Sequence, residues 1–178
     1  MTNMKLDQKL AKSTLRNTKN NMQGHVFEGY ISAACAVYRS RGVADIAKTP
    51  EPFRVMSKGK NGMFTGRFTA HARPDFEGTL KGGRSIVFEA KFTSTDRLRQ
   101  NALTDTQLQT LVHRDKLGAK TGICCGIKDK FYFVPTGIWA DMKGVFGKMY
   151  VTQADLERWR VRFTGAVMFL DYVGGKKW

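Results

Sequence analysis

The chain is short of several things that mark common protein classes. It has three cysteines in 178 residues, Cys35, Cys124 and Cys125. An odd count without zinc-ligand spacing excludes a disulfide framework and points to a reducing compartment. The three histidines, His25, His71 and His113, form no ligand motif. No apolar run approaches the roughly 20 residues of a membrane span, so no membrane partner is expected. The N-terminal stretch is charged and lacks a hydrophobic signal region, which fits a cytoplasmic protein. Acidic residues are scarce as well: 15 Asp and Glu stand against 30 Lys and Arg, for a net charge of +15. Such an imbalance suits a polyanionic partner, nucleic acid before an anionic membrane. The length fits one domain with a full core, with or without an added arm.

What is present is organised around Arg73 to Lys91, RPDFEGTLKGGRSIVFEAK. The pattern predicts a β-hairpin: Arg73 to Leu80, a Lys81-Gly82-Gly83 turn, then Arg84 to Phe92. On the second arm Ile86, Phe88, Ala90 and Phe92 share one face, suited to a core. Ser85, Val87, Glu89 and Lys91 share the other. Asp75, on the first arm, is close enough across the hairpin to lie beside Glu89. Two carboxylates and a lysine are the set that metal-assisted phosphodiester hydrolysis needs. Mg²⁺ favours one or two carboxylates plus waters and phosphate oxygens. It polarises the phosphate and acidifies a bound water, which a lysine orients. A Glu-x-Lys triplet by itself is an ordinary surface pair; the Pro-Asp, turn and apolar strand around it favour the site.

In chain order, residues 1–23 are polar and basic and predict a mobile arm. It serves either as a non-specific phosphate contact or as a solubilising tail. Gly24 to Arg41 has helical apolar spacing at Val26, Phe27, Tyr30, Ile31, Ala34 and Val37, with Gly42 as its C-terminal cap. Glu28 near its start suits either the helix dipole or the carboxylate site. Val43 to Lys48 predicts a strand, closed by Thr49-Pro50-Glu51-Pro52. Residues 53–72 have no acid and several glycines, and read as a projecting basic hairpin or loop. Arg54, Lys58, Lys60 and Arg67, with Arg73 at the edge, suit phosphates. Phe64 and Phe68 suit exposed bases. A solvated loop is the plainer alternative.

Thr93 to Asn101 reads as a charged loop, and Ala102 to Leu117 as a second helix capped at Thr104 or Asp105. Gln107 in its first turns either reaches the strand ends or is an ordinary surface glutamine. Thr121 to Ile127 and Phe131 to Pro135 predict central buried strands. Thr136 to Met142 predicts a short helix, and Thr152-Gln153-Ala154-Asp155 the capped start of another. Val167 to Tyr172 predicts a last strand or core-packing segment. The expected architecture is α/β, a mixed central sheet flanked by helices.

Pro74-Asp75 followed by Glu89-Ala90-Lys91 matches the PD-(D/E)xK nuclease signature. With Gly24-His25-Val26-Phe27-Glu28, Ala44 to Pro52, Asp75-Phe76-Glu77-Gly78, Gln107 and Phe131 to Pro135, the frame resembles the RecU-type Holliday junction resolvases. It covers about Gly24 to Val173. The sequence departs from that family's pattern at Gln23, where arginine is common, and at Pro74, where a hydroxyl residue is usual.

The resemblance implies a restriction-endonuclease-like fold, a single nuclease domain over 24–178, and 53–72 as a stalk entering the junction centre. It implies Asp75 and Glu89 as metal ligands, Lys91 as the water or phosphate partner, and Glu28 and Gln107 as further site residues. Mg²⁺ is the expected cofactor, with Mn²⁺ able to substitute. Branched DNA, especially four-way junctions, is the expected substrate, and a homodimer the expected assembly, with possible recombination-protein partners. A phage-encoded relative, acting in an infected bacterial cytoplasm, suits so small and basic a chain. The alternatives are a nuclease of the same superfamily acting on other DNA, in restriction, repair or debranching, and a non-catalytic junction-binding recombination factor.

Overall fold

The computed structural model describes residues 22–50, 53–68 and 73–174. The predicted arm before Met22, the Glu51-Pro52 part of the turn and the 69–72 end of the projection lie outside the described residues.

A helix through residues 22–40 (α1) leads into β1 (Ala44–Lys48). Gly42 turns the chain between them in the left-handed region, φ 61°, where only glycine is unstrained. A separate ribbon follows, β2 (Phe53–Lys58) with β3 (Phe64–Phe68). The predicted central hairpin is β4 (Phe76–Leu80) and β5 (Ser85–Thr93). Then come β6 (Arg97–Arg99), α2 (Asp105–Lys116), β7 (Lys120–Ile127) and β8 (Lys130–Pro135). The chain ends with α3 (Thr136–Ala140), α4 (Met142–Phe146), β9 (Tyr150–Thr152), α5 (Gln153–Leu156), β10 (Val161–Phe163) and β11 (Val167–Tyr172).

Five strands form the central sheet in the order β1-β4-β5-β7-β8. Only β5 and β7 run parallel; the other neighbours are antiparallel. The sheet is therefore mixed, as expected. Its two faces carry two cores. Ile86, Phe88, Ala90, Cys124 and Phe133 face α1 and the β10–β11 hairpin. Val87, Ile123, Cys125, Tyr132 and Val134 face α2, α3 and the β6–β9 ribbon. The period-2 alternation of β5, β7 and β8 places successive side chains in opposite cores, and that is why these strands read as continuous apolar runs.

Several expectations need correction. The Val87 face of β5 is covered as well as the Phe88 face: Val87 and Glu89 are buried beneath α2, between an exposed Ser85 and a partly exposed Lys91. Asp75 precedes β4 instead of lying on it. β8 is buried but ends the ladder, and is not central. The charged loop after Thr93 contains β6, which pairs with β9 through Arg97↔Thr152, Leu98↔Val151 and Arg99↔Tyr150. The helix expected over 136–142 is two short ones, broken at Asp141, whose carboxylate caps the second by accepting from the Gly144 N–H. α2 starts at its predicted Thr104 cap, not at Ala102.

Among the described residues no helix is long and apolar enough to cross a membrane. Cys35, Cys124 and Cys125 are buried free thiols.

Candidate active site

β5 carries Glu89 and Lys91 on the face toward α2, at the end of the strand. Glu89 is 1 % exposed, although the next residue on this face, Lys91, is partly open to solvent. A buried carboxylate is costly unless its oxygens are satisfied. Glu89 Oε2 accepts from the Gln107 side-chain amide at 2.7 Å and from Lys91 Nζ at 3.3 Å. Oε1 is buried with no protein partner among the described residues.

The Asp75 carboxylate closes the cluster. Its Oδ2 accepts from the Ala90 backbone N–H at 2.8 Å, a bond that ties the start of β4 to the end of β5. Lys91 Nζ lies 3.9 Å from the same oxygen, so one ammonium faces both carboxylates. The Asp75 and Lys91 side chains keep partial access to solvent, 26 % and 20 %. Burial pushes Glu89 up to about 8, and the neighbouring Asp75 adds to the shift; Lys91 acts against it. Without a further cation, this carboxyl holds a proton near neutral pH.

Gln107 is placed by the helix start. Thr104 caps α2 by accepting from the Gln107 backbone N–H, and the Gln107 side-chain oxygen accepts from the Thr104 N–H at 3.1 Å. The reciprocal cap directs the other end of that amide at Glu89.

Glu28 is less directly connected. Its carboxylate accepts from Lys48 Nζ at 2.6 Å and lies 3.7 Å from His25. Lys48 is opposite Phe76 at the end of β1, and Thr49 donates its backbone N–H to the Asp75 carbonyl at 2.9 Å. Glu28 therefore flanks the cluster through β1, and no direct bond joins it to Asp75 or Glu89 among the described residues. Sequence reasoning included Lys48 in a motif without giving it a role. Its position at the strand end, in register with the residue after Asp75, is the signal that points to it.

The basic projection is a two-stranded ribbon separate from the central sheet. Arg54 is opposite Arg67 and Lys58 opposite Phe64. Like charges directly opposite are destabilising unless an anion lies between or over them. Arg54, Lys58, Lys60, Phe64 and Arg67 are all exposed, Phe64 by 58 %. The Phe68 side chain lies outside the described residues. Arg73 differs from the rest: its guanidinium pairs with Glu77 at 3.0 Å.

The residues fit a hard divalent cation. Two carboxylates converge, one with a buried oxygen awaiting a partner. Among the described residues no cluster of three or more His, Cys, Asp or Glu side chains forms. A cation held here would complete its shell with waters and phosphate oxygens, as Mg²⁺ commonly does.

The sequence matches the RecU family, recombination protein U, over residues 22–157. Among solved structures the chain is similar to Hjc, a Holliday junction resolvase from the archaeal hyperthermophile Archaeoglobus fulgidus. The identity is 13 %, over 75 % of this chain and 87 % of that one, with a TM-score of 0.44. No curated protein matches.

Proposed function

The chain belongs to the RecU family, and from that premise we propose that it is a Mg²⁺-dependent, structure-selective DNA endonuclease that resolves four-way junctions by paired strand cuts. The observation that carries the reading is the Asp75, Glu89 and Lys91 cluster, with the Glu89 Oε1 atom buried and unpartnered. A non-catalytic binding protein has no use for a costly buried carboxylate of this kind.

In this reading Asp75 and Glu89 hold the metal, with Mn²⁺ able to replace Mg²⁺. When bound, the ion polarises the scissile phosphate and lowers the pKa of a water. Lys91 holds that water in line, or stabilises charge on the phosphate as the P–O bond breaks. Gln107 fixes the Glu89 carboxylate, and the Glu28–Lys48 pair lines the approach from β1. The ribbon β2–β3 is a stalk: Arg54, Lys58, Lys60 and Arg67 meet phosphates at the branch point, and Phe64 and Phe68 meet unstacked bases. Arg73 contributes once Glu77 releases it. One site per chain and two cuts per junction call for a two-fold homodimer.

The test is cleavage of a four-way junction beside linear duplex, single strand and a three-way fork. The parent protein is expected to cut the four-way junction symmetrically with Mg²⁺, as a dimer by sedimentation. Asp75→Asn and Glu89→Gln are expected to abolish cutting and keep junction binding. Substantial Mg²⁺-dependent cutting by either variant would overturn the assignment.

A further inference from the structure

A cleft of about 490 Å³ opens past the end of β5, walled by Thr93, Thr95, Asp96, Arg97 and Arg99. Glu89, Lys91 and Thr93 share one face of β5, so the cleft begins two residues, roughly 7 Å at strand spacing, beyond Lys91. Its far wall is β6. Leu98 of β6 and Val151 of β9 are buried in the same core as Val87, which sets the β6–β9 pair on the sheet face that carries the candidate active site. With Leu98 turned inward, Arg97 and Arg99 turn outward together, and both are exposed.

The walls of this cleft are fixed before any ligand arrives. Thr95 donates its hydroxyl proton to the Arg97 carbonyl at 3.0 Å. Thr93 must then be the donor in its 2.8 Å hydroxyl bond to Thr95, and it also accepts from the Thr95 backbone N–H at 3.1 Å. Both hydroxyl protons are spent on the loop, so the arginines are left to meet a ligand. Gln100 anchors the other end of β6: its side-chain amide donates to the Trp139 carbonyl at 2.9 Å, and its backbone N–H to the Met149 carbonyl at 3.1 Å. The Arg97 guanidinium lies over the ring of Tyr150, its diagonal neighbour across the pair, at 5.3 Å. A guanidinium held against a ring keeps several of its five N–H donors for a planar, two-point contact with an oxyanion. Asp96, the one acid of the wall, is paired with Lys128. Lys148, over the same ring at 4.9 Å, is matched by Asp155 at 2.8 Å.

We propose that the β6–β9 pair is a second DNA-backbone contact, distinct from the β2–β3 ribbon: Arg97 and Arg99 hold two phosphates of the strand that passes the Asp75–Glu89 cluster. The two side chains leave one face of β6 two residues apart, roughly 7 Å, a spacing that neighbouring phosphates of one strand can match. The contact belongs to a duplex arm and not to the branch point, so it adds affinity without junction selectivity. Backbone contacts of this kind set the register of the DNA and carry no sequence information. The placement beside the cut rests on the nuclease reading; the contact with DNA does not.

Binding is measured with the full chain carrying Glu89→Gln, in chelator, on linear duplex and on a four-way junction, so that no cutting complicates it. Adding Arg97→Gln or Arg99→Gln is expected to lower the log–log salt slope by about one on both DNAs. Over a fourfold rise in salt, the chain with both arginines then loses about fourfold more affinity than either variant. Neutral methylphosphonates, placed one at a time along a junction strand, locate the contact. Two adjacent positions in a duplex arm are expected to weaken binding, and their effect is expected to vanish when Arg97→Gln and Arg99→Gln are combined. Arg162→Gln, an equal loss of charge on β10 at the opposite sheet face, is expected to leave those two positions as sensitive as before. With Glu89 restored and Mg²⁺ added, the cut is expected next to them. Unchanged salt slopes, or methylphosphonate losses that persist at every position in the combined variant, overturn the proposal. A cut mapped away from the two positions overturns their placement beside the cluster. Lowered slopes with no cutting by the Glu89 protein overturn the nuclease reading instead and leave the phosphate contact standing.

Discussion

The Gln107 side chain is held at both ends: its amide nitrogen donates to Glu89 Oε2 at 2.7 Å, and its oxygen accepts from the Thr104 N–H at 3.1 Å. The cap decides which way the amide points. With the oxygen committed to Thr104, the nitrogen must face the buried carboxylate. A helix terminus thus orients a candidate metal ligand.

Gln107→Ala removes both contacts. We expect a loss of metal affinity or cleavage rate of about 10- to 100-fold, together with a small loss of stability from the weakened cap. Gln107→Glu keeps the cap oxygen but sets a carboxylate against Glu89, and is expected to cost more activity than alanine. Metal titration and single-turnover cleavage measure the first effect, and thermal unfolding the second. An alanine variant with parental activity removes Gln107 from the site.

The pH dependence of stability reports on Glu89. Its pKa is 4.5 ordinarily and about 8 in the fold, raised by burial and then by Asp75. Between those values the folded state holds a proton that the unfolded chain has lost. Metal-free stability from this group therefore falls as pH rises through that window. Lys120 acts in the opposite sense: its folded pKa of about 7 is below the ordinary 10.5, so its contribution to stability rises with pH above about 7. Glu89→Gln isolates the carboxylate. In chelator at pH 9 the variant is expected to melt above the parent, and the difference is expected to shrink toward pH 5. Added Mg²⁺ is expected to raise the parent melting temperature at pH 7 and to release a proton, detectable by calorimetry in buffers of different ionisation enthalpy.

Gly78 is fixed by its neighbour strand. A Cβ there would meet the Asp45 carbonyl oxygen at 2.1 Å and Ile46 Cα at 2.5 Å. Both are backbone atoms of β1 that cannot swing aside. Gly78→Ala is expected to cost about 3 kcal/mol or more and to separate β1 from β4, carrying Lys48 away from Glu28. Urea unfolding checks the first, and amide exchange of β1 the second.

The ribbon is expected to act through charge. Removing Arg54 or Arg67 by alanine substitution should lower the log–log salt slope of junction binding by about one each, with the Asp75–Glu89 cluster unchanged. Replacing Asn61 to Gly66 with a short Gly-Ser turn should reduce junction affinity more than duplex affinity and abolish four-way resolution. A variant that binds and cuts four-way junctions as the parent does reduces the ribbon to a solvated loop.

The sequence carried the central sheet well because β5, β7 and β8 are buried on both faces, and burial is what leaves an apolar record. The α2 cap was equally visible, since Thr104 and Gln107 are three residues apart. The β6–β9 pairing was not. Each strand has three residues, too few to show a period, and the partners are separated by the whole of α2, β7 and β8. Of the candidate site, Asp75, Glu89 and Lys91 were legible from spacing on one hairpin. The depth of Glu89 was not, because the cover comes from a helix that follows in the chain, and the alternation of β5 fits an open face as well as a covered one. Lys48 and Glu28 meet across a helix and a strand, and a polar pair at that separation has no periodic signature.

The bond from the Thr49 N–H to the Asp75 carbonyl has a consequence for how such chains diversify. It clasps the two ends of the projection at its root, so the excursion is a closed loop attached beside the Asp75–Glu89 cluster and not a link on which the sheet depends. Loop closure cost grows only with the logarithm of length, about 0.6 kcal/mol for each doubling. The reach of the arm is therefore nearly neutral for folding. Under the proposed function, lengthening, shortening or exchanging it is expected to change which DNA shape is met while the carboxylates stay where β4 and β5 hold them.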